Sequence, residues 1–169
     1  ASTTSQLALG DALAIAAMKY KKFGKLDFRQ LHPAGSLGAK LRTVGDLMIT
    51  GERIPFVNEN LQMSKALKIL SEKKLGILIV RDKNNKVNGI VSDGDIRRLS
   101  QKNLDIHSLP VNKIMIRKPI SIDKNELAVK GLSLMQSKKI TSLCVHEKNN
   151  KSKTIGVIHI HNILESNIS

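Results

Sequence analysis

Apolar residues occur along this chain as short blocks separated by polar turns, and the blocks recur in the same order. The matching segments are 44–48 with 111–115, 73–80 with 138–145, and 89–91 with 156–158. The sequence Val-Gly-Asp-Leu-Met at 44–48 is followed 67 positions later by the related sequence Val-Asn-Lys-Ile-Met. Gly-Ile-Val at 89–91 is likewise followed 67 positions later by Gly-Val-Ile. Landmarks that keep their order and spacing predict two copies of one structural unit.

Each copy is predicted to contain a short strand, a helix, two strands joined by a polar turn, and a closing helix. The segments of the first copy are 54–57, 65–70, 77–80, 87–91 and 96–99. Those of the second copy are 119–122, 127–135, 143–145, 155–160 and 162–165. Ser64 is the predicted cap of the first long helix, and Asp123 or Asn125 that of its counterpart. Asp93 or Asp95 is predicted to open the closing helix.

This order of elements predicts an α+β fold made of two β-α-β-β-α units related by a pseudo-twofold axis. One unit of about 60 residues buries too little surface to be stable alone, so the two are expected to share a core. The expected organisation is a leading segment at 1–43, a first unit at 44–106 and a second unit at 107–169.

The leading segment differs from the repeat because it predicts one strongly apolar helix from Gly10 to about Phe23, with Gly24 as its C-terminal cap. A helix that is apolar on most faces is expected to be buried. Nothing upstream in the chain can bury it, so the simplest expectation is that it ends a larger domain.

Composition restricts the classes of function. Hydrophobic residues make up 41% of the chain and aromatic residues 2%, so the core must be aliphatic. A net charge of +14 attracts anions, although scattered lysines are also typical of an ordinary solvated surface. Scarce aromatics argue against single-stranded nucleic acid as a partner. Cys144, the single cysteine, excludes an internal disulfide and a multi-cysteine zinc site, and its apolar neighbours predict a buried thiol.

No apolar stretch reaches the length of a membrane span, and the first residues lack the pattern of a signal peptide. The chain is therefore expected to be cytoplasmic, without a membrane partner.

Two stretches resemble known families. Gly-Ile-Val-Ser-Asp-Gly-Asp at 89–95, with the repeat around it, resembles a cystathionine-β-synthase (CBS) domain pair. The segments at 3–14 and at 32–38, the latter reading His-Pro-Ala-Gly-Ser-Leu-Gly, resemble the end of the sugar isomerase (SIS) domain of D-arabinose 5-phosphate isomerases. These enzymes interconvert D-ribulose 5-phosphate and D-arabinose 5-phosphate on the route to Kdo (3-deoxy-D-manno-octulosonate) and lipopolysaccharide.

The resemblance implies that His32 is one participant in an acid–base isomerisation. The remaining catalytic residues of that family lie upstream of the stretch that this chain matches, so the chain alone is expected to be inactive. No cofactor is predicted.

The same resemblance implies a ligand site in the first unit. In the CBS motif the hydroxyl, here Ser92, can meet a phosphate, and the carboxylate, here Asp95, can bind the ribose hydroxyls. Arg97 and Arg98 follow, and one of them can face the cleft. The alternative is that Ser92 or Asp95 simply caps the helix, and both roles are compatible.

The second unit departs from the motif, because His159 and Asn162 stand at the equivalent positions and put a ribose clamp there in doubt. Alternation along a strand would place His159 and His161 on one side. A metal site is disfavoured because no third ligand is spaced nearby. An imidazole that binds a phosphate or sugar, and a purely structural histidine, both remain open.

Three functions are therefore weighed. The first is a regulatory module of the isomerase that senses an anionic nucleotide or a nucleotide sugar such as CMP-Kdo. The second is a structural module that dimerises and organises an oligomer without ligand. The third, binding to nucleic acid, has only the charge in its favour.

Overall fold

A computed structural model of the chain describes residues 2–24, 27, 41–101, 105–148 and 150–166. The helices described are α1 (Ser2–Tyr20), α2 (Val44–Leu47), α3 (Met63–Lys73), α4 (Asp93–Ser100), α5 (Ala128–Lys138) and α6 (Ile160–Leu164). The strands are β1 (Phe56–Asn58), β2 (Ile77–Arg81), β3 (Val87–Ser92), β4 (Ile116–Arg117), β5 (Ser121–Asp123), β6 (Ser142–Glu147) and β7 (Asn150–His159). Short 3₁₀ turns lie at Gly51–Arg53 and Val111–Lys113.

The strands form two sheets of matching topology. In the first sheet the order is β1-β2-β3-β4, with β1 parallel to β2 and the other pairs antiparallel. In the second the order is β5-β6-β7, again with one parallel and one antiparallel pair. We call β1–β3 with α3 and α4 unit one, and β5–β7 with α5 and α6 unit two. The predicted β-α-β-β-α repeat is thereby confirmed.

Each unit has an apolar core between its sheet and its helices, and a third cluster joins the units. We call this third cluster the seam. Its buried members are Ile54, Ile77, Ile79, Cys144 and Val157, contributed by both units. Because apolar surface removed from water stabilises a fold by about 25 cal/mol per Å², units joined by a dry seam support each other. The expected shared core is present.

The segments that precede the two units are exchanged between them. We call residues 42–49 the first lead-in segment and residues 107–117 the second. Val44 is fully buried in the core of unit two, and Val111 is fully buried in the core of unit one. Backbone bonds follow the same exchange, since Ile49 and Val157 bond reciprocally at 2.7 and 3.0 Å and β4 pairs with β3.

Glycine permits the close approach of each lead-in segment to the opposite sheet. A Cβ at Gly89 would lie 2.7 Å from the backbone oxygen of Ile116 and 2.8 Å from Met115 Sδ. A Cβ at Gly156 would lie 2.6 Å from Met48 Sδ and 3.0 Å from the oxygen of Ile49. The Met and Gly residues that recur in the sequence repeat therefore pack against each other, and this contact occurs twice in the molecule.

The exchange also caps the long helices, and it overturns three predicted caps. Helix α3 begins at Met63, and its first amides donate to Leu109 O at 2.9 Å and His107 O at 3.2 Å. Ser64 is thus a helical residue and not the cap. Carbonyl oxygens of the second lead-in segment, and not a side chain, accept the hydrogen bonds of the first helical amides.

Helix α5 repeats this arrangement, because Ala128 N donates to Arg42 O at 2.8 Å. Neither Asp123 nor Asn125 caps it. Asp123 lies in β5, where its carboxylate accepts from the amide of Asn125 at 2.8 Å.

Helix α1 begins at Ser2, well before the predicted Gly10, and every residue in it is exposed. The described part of the chain therefore does not bury this apolar helix. Its C-terminus is a Schellman motif, in which Phe23 N donates a hydrogen bond to Met18 O at 2.8 Å and Lys22 lies in the left-handed region at φ 53°. The predicted cap, Gly24, is wrong because the turn is already completed at Lys22.

Cys144 lies in the seam at 3% exposure, and burial raises the pKa of its thiol to about 11. The expected buried thiol is confirmed, and it is unreactive because it stays protonated at neutral pH. Among the described residues, no helix has both the length and the hydropathy needed to cross a membrane.

Substituting Gly89→Ala is expected to destabilise the fold by about 1–3 kcal/mol, because the new methyl group meets a backbone oxygen that is held in a sheet. Gly156→Ala should behave alike. Urea unfolding monitored by circular dichroism measures the change.

Gly131→Ala is the matched control, since a Cβ at this buried helical position meets its nearest atoms at 3.7 Å, an ordinary contact. It should be neutral or stabilising by up to about 1 kcal/mol. Equal effects of Gly89→Ala and Gly131→Ala would contradict the role of the close approach.

Candidate functional site

The turn from β3 into α4 holds Ser92 and Asp95 in a reciprocal capping box. Ser92 Oγ accepts from Asp95 N at 3.2 Å, while Asp95 Oδ2 accepts from Ser92 N at 2.9 Å and from the Ser92 hydroxyl at 2.6 Å. The capping role considered for these residues is therefore present. Capping leaves the ligand role a prediction, because the same groups can serve both.

Ser92 lies beside the seam. It stands directly opposite Ile77 in the antiparallel pair of β2 and β3, and directly opposed residues project from the same face. Ile77 is a seam residue. Ser92 therefore projects beside a seam residue.

Asp95 is 7% exposed, and its carboxylate has a second partner, which is charged. Arg98 donates from its guanidinium to Asp95 Oδ1, one helical turn further on. The Arg98 side chain is 65% exposed, so its charge remains accessible from solvent. Both oxygens of Asp95 thus accept hydrogen bonds.

Asp95 and Arg98 line a cavity of about 370 Å³ together with Leu99, Gln101 and Ile114. Ile114 comes from the second lead-in segment, so the wall of this cavity depends on the exchange. Arg97 is exposed and is not among the lining residues. Of the two predicted arginines, only Arg98 is brought together with Asp95.

In unit two the equivalent turn is capped by neutral groups. His159 Nδ1 accepts from His161 N at 3.2 Å, and Asn162 Oδ1 accepts from His159 N at 3.2 Å. Because Nδ1 is an acceptor, the neutral imidazole carries its hydrogen on Nε2. Burial, with a smaller contribution from His161, lowers the pKa of His159.

The two histidines do not alternate on one strand as expected, because β7 ends at His159 and His161 belongs to α6. Their rings nevertheless lie 5.0 Å apart between centroids. No group of three potential metal ligands occurs among the described residues.

The two turns are alike in capping and different in charge. Asn162 and Glu165 of unit two take the places of Asp95 and Arg98, 67 positions earlier. Glu165 is exposed. Unit two therefore offers an amide and a carboxylate where unit one offers a carboxylate and a guanidinium.

Sequence reasoning missed a larger cavity of about 620 Å³ between α5 and the edge strand β5. Its lining residues are Ser121, Ile122, Asp123, Glu126, Lys130, Ser133, Leu134, Ser137, His146 and Lys148. Lys130 and Glu126 pair at 2.7 Å, and the lining has charges of both signs. No motif marked these residues, and their mixed charge selects no class of ligand. His32, the predicted catalytic residue, lies outside the described residues.

Comparison with known families decides what the repeat is. The family model described as the CBS domain matches residues 44–102 and again 103–168. The chain belongs to the CBS domain family. A crystal structure of CBSX2 in complex with AMP superposes with a TM-score of 0.65 at 25% identity, covering 75% of this chain and 96% of CBSX2. The predicted tandem CBS pair is thereby confirmed.

The curated relatives of this CBS pair include isomerases. Arabinose 5-phosphate isomerase KdsD of Salmonella typhi is 39% identical over 99% of the chain, and that of Escherichia coli (strain K12) is 38% identical over the same share. In both cases the match covers 50% of the relative. The chain spans about half the length of these relatives, and the predicted resemblance to their family is confirmed.

His159 should make the stability of the CBS pair sensitive to acid. Because the folded-state pKa of His159 is lowered, the unfolded chain binds a proton first as the pH falls. The contribution of neutral His159 to the stability of the fold is therefore complete above about pH 6.5 and is lost as the pH falls below that value. His159→Ser, which copies the cap of unit one, should lose less stability than the wild type between about pH 7.5 and about pH 5.5.

Urea unfolding at the two pH values measures this difference. His107→Ser serves as the control, since His107 lies exposed in the second lead-in segment. This variant should retain the wild-type pH dependence. Indistinguishable losses in wild type and His159→Ser would show that the cap of α6 does not titrate.

Proposed function

We propose that this CBS pair is the ligand-sensing regulatory region of an isomerase that interconverts D-arabinose 5-phosphate and D-ribulose 5-phosphate. The observation that carries the proposal is the 39% identity to an arabinose 5-phosphate isomerase over 99% of the chain. Identity that extends through α1, both lead-in segments and both units supports a common whole protein, and it exceeds what the shared fold requires.

The proposed ligand is an anionic nucleotide or a nucleotide sugar such as CMP-Kdo. AMP occupies CBSX2, which has the same fold at 25% identity. In the present chain, Asp95 offers a carboxylate that suits the ribose hydroxyls, and Arg98 offers donors that suit a phosphate. The Ser92 hydroxyl donates to Asp95 in the capping box, so it can meet a phosphate only by giving up that bond. The net charge of +14 favours anionic ligands at long range.

The remaining predicted contacts have supporting roles in this proposal. His159 presents an Nε2 hydrogen and Asn162 an amide, so either can bond a sugar hydroxyl or a phosphate oxygen without adding charge. Arg97 lies outside the cavity and has no contact with the ligand in this proposal.

Catalysis is assigned to the part of the whole protein that is equivalent to the SIS domain of its relatives. His32 is the proposed participant from this chain, acting as one group in the transfer of a proton between adjacent carbons. Because one group cannot complete that transfer, the chain is proposed to be inactive by itself.

The alternative is a CBS pair that only organises an oligomer, for example as a dimer of pairs. The two functions differ in one measurable respect. A ligand that binds the folded state raises its stability by RT ln(1 + [L]/Kd), about 2.7 kcal/mol at a hundredfold excess over Kd. An organising module shows no such gain.

AMP, CMP or CMP-Kdo is expected to raise the unfolding temperature of the wild-type chain, and Asp95→Asn is expected to abolish the gain. The asparagine should preserve the fold, because Asn162 supports the same capping box in unit two. Differential scanning fluorimetry with each ligand measures the shift.

Asp82→Asn is the matched control, because it removes the same charge in the turn between β2 and β3, away from both capping turns, and it should retain the ligand-dependent shift. If no ligand in this panel stabilises the wild type, the organising function is favoured. A full shift in Asp95→Asn would remove the site from unit one.

The purified chain should not convert D-ribulose 5-phosphate, and the whole isomerase should do so at a rate that the effective ligand changes. A coupled assay of both proteins, with and without that ligand, measures each rate. Turnover by the chain alone would contradict the assignment of catalysis to the rest of the protein.

A further inference from the structure

We propose that Arg98 makes the unit-one site selective for phosphorylated ligands over neutral nucleosides. In the free protein Arg98 holds Asp95, and a phosphate draws the guanidinium away. This inference rests on the proposed function, since it concerns how the same site chooses its ligand.

The first step concerns the acceptors of Asp95. The amide and the hydroxyl of Ser92 both donate to Oδ2 of Asp95, and the guanidinium of Arg98 donates to Oδ1. Releasing Ser92 would break the cap of α4, whereas releasing Arg98 would leave the cap intact. A ribose hydroxyl therefore reaches Asp95 most readily at Oδ1, in place of Arg98.

The second step concerns the cost of moving Arg98. Its side chain is 65% exposed, so rotation into solvent or toward a ligand meets little steric resistance. Asp95 is 7% exposed, so its carboxylate cannot be left without partners at low cost. Exchange of a ribose for Arg98 thus gives up an ion pair with a buried carboxylate, and it is favoured when the released guanidinium gains another anion.

A phosphate supplies that anion and a neutral nucleoside does not. Asp95 and Arg98 line the same 370 Å³ cavity, so a ligand bound to the carboxylate lies within reach of the guanidinium. Guanidinium and phosphate form charge-assisted, often bidentate hydrogen bonds that replace the lost ion pair. With adenosine or cytidine, Arg98 gives up its partner and gains no anion.

The selectivity belongs to unit one alone. Arg97 is exposed and does not line the cavity, and Glu165 stands in unit two where Arg98 stands in unit one. A carboxylate at that place repels phosphate. Selection by an exchangeable arginine is therefore expected once in each chain.

Isothermal titration calorimetry with the pairs AMP and adenosine, and CMP and cytidine, tests the proposal. The wild type should prefer the nucleotide of at least one pair by about tenfold or more, a difference of about 1.4 kcal/mol. In Arg98→Ala the preference should fall to about threefold or less, mainly through weaker binding of the nucleotide. Arg97→Ala, the matched control, should keep the wild-type preference.

Arg98→Gln provides a second variant in which a neutral donor can still reach Asp95 and support the fold. It should lose the preference as Arg98→Ala does. Nucleotide binding with an unchanged preference in both variants would overturn the role of Arg98 while leaving the proposed function intact. If neither nucleotide binds the wild type, this selectivity fails, and the proposed function fails with it only if CMP-Kdo does not bind either.

Discussion

The reciprocal contact between each lead-in segment and the opposite sheet is the interaction on which the rest of this molecule depends. Without it, unit one lacks Val111 in its core, and the first amides of α3 lack the carbonyl oxygens of His107 and Leu109. Unit two in turn lacks Val44 and the oxygen of Arg42. Each unit is completed by residues that precede the other, so neither closes its core or caps its long helix with its own residues.

The same contact builds the candidate site. Ile114 forms part of the cavity wall beside Asp95, and it lies just before Met115, whose sulfur approaches Gly89. A displacement of the second lead-in segment would therefore change both the packing on β3 and the shape of the cavity. The cavity proposed to bind ligand and the contact between the units share one short stretch of backbone, which would give the proposed regulatory signal a physical route across the pair.

Sequence patterns were sufficient for the architecture because the repeat and the alternation of apolar residues are local and regular. They failed at the caps of α3 and α5. Ser64 and Asp123 are good local capping residues, but the acceptors come from residues more than forty positions away in sequence. Such acceptors compete with local side chains only after the chain has folded, so no local signal announces them.

The site was predictable as far as its motif reached, which includes Ser92 and Asp95. The choice of Arg98 over Arg97 required the geometry of α4, because adjacent helical residues point in different directions. Glu165 in unit two carried no motif, and only the offset of 67 positions in the repeat places it where Arg98 stands in unit one. The 620 Å³ cavity lies between elements whose separation no pattern encodes.

The capping boxes at Ser92 and His159 show that the backbone at this turn needs only an acceptor three residues later, whether charged or neutral. Folding therefore places no demand on the sign of the side chains around the turn. A duplicated gene with this property can drift in one copy at small risk to the scaffold, while the other copy preserves an inherited chemistry. The two halves can thus diverge in the ligands that they recognise, because the capping hydrogen bond forms with a charged or a neutral acceptor.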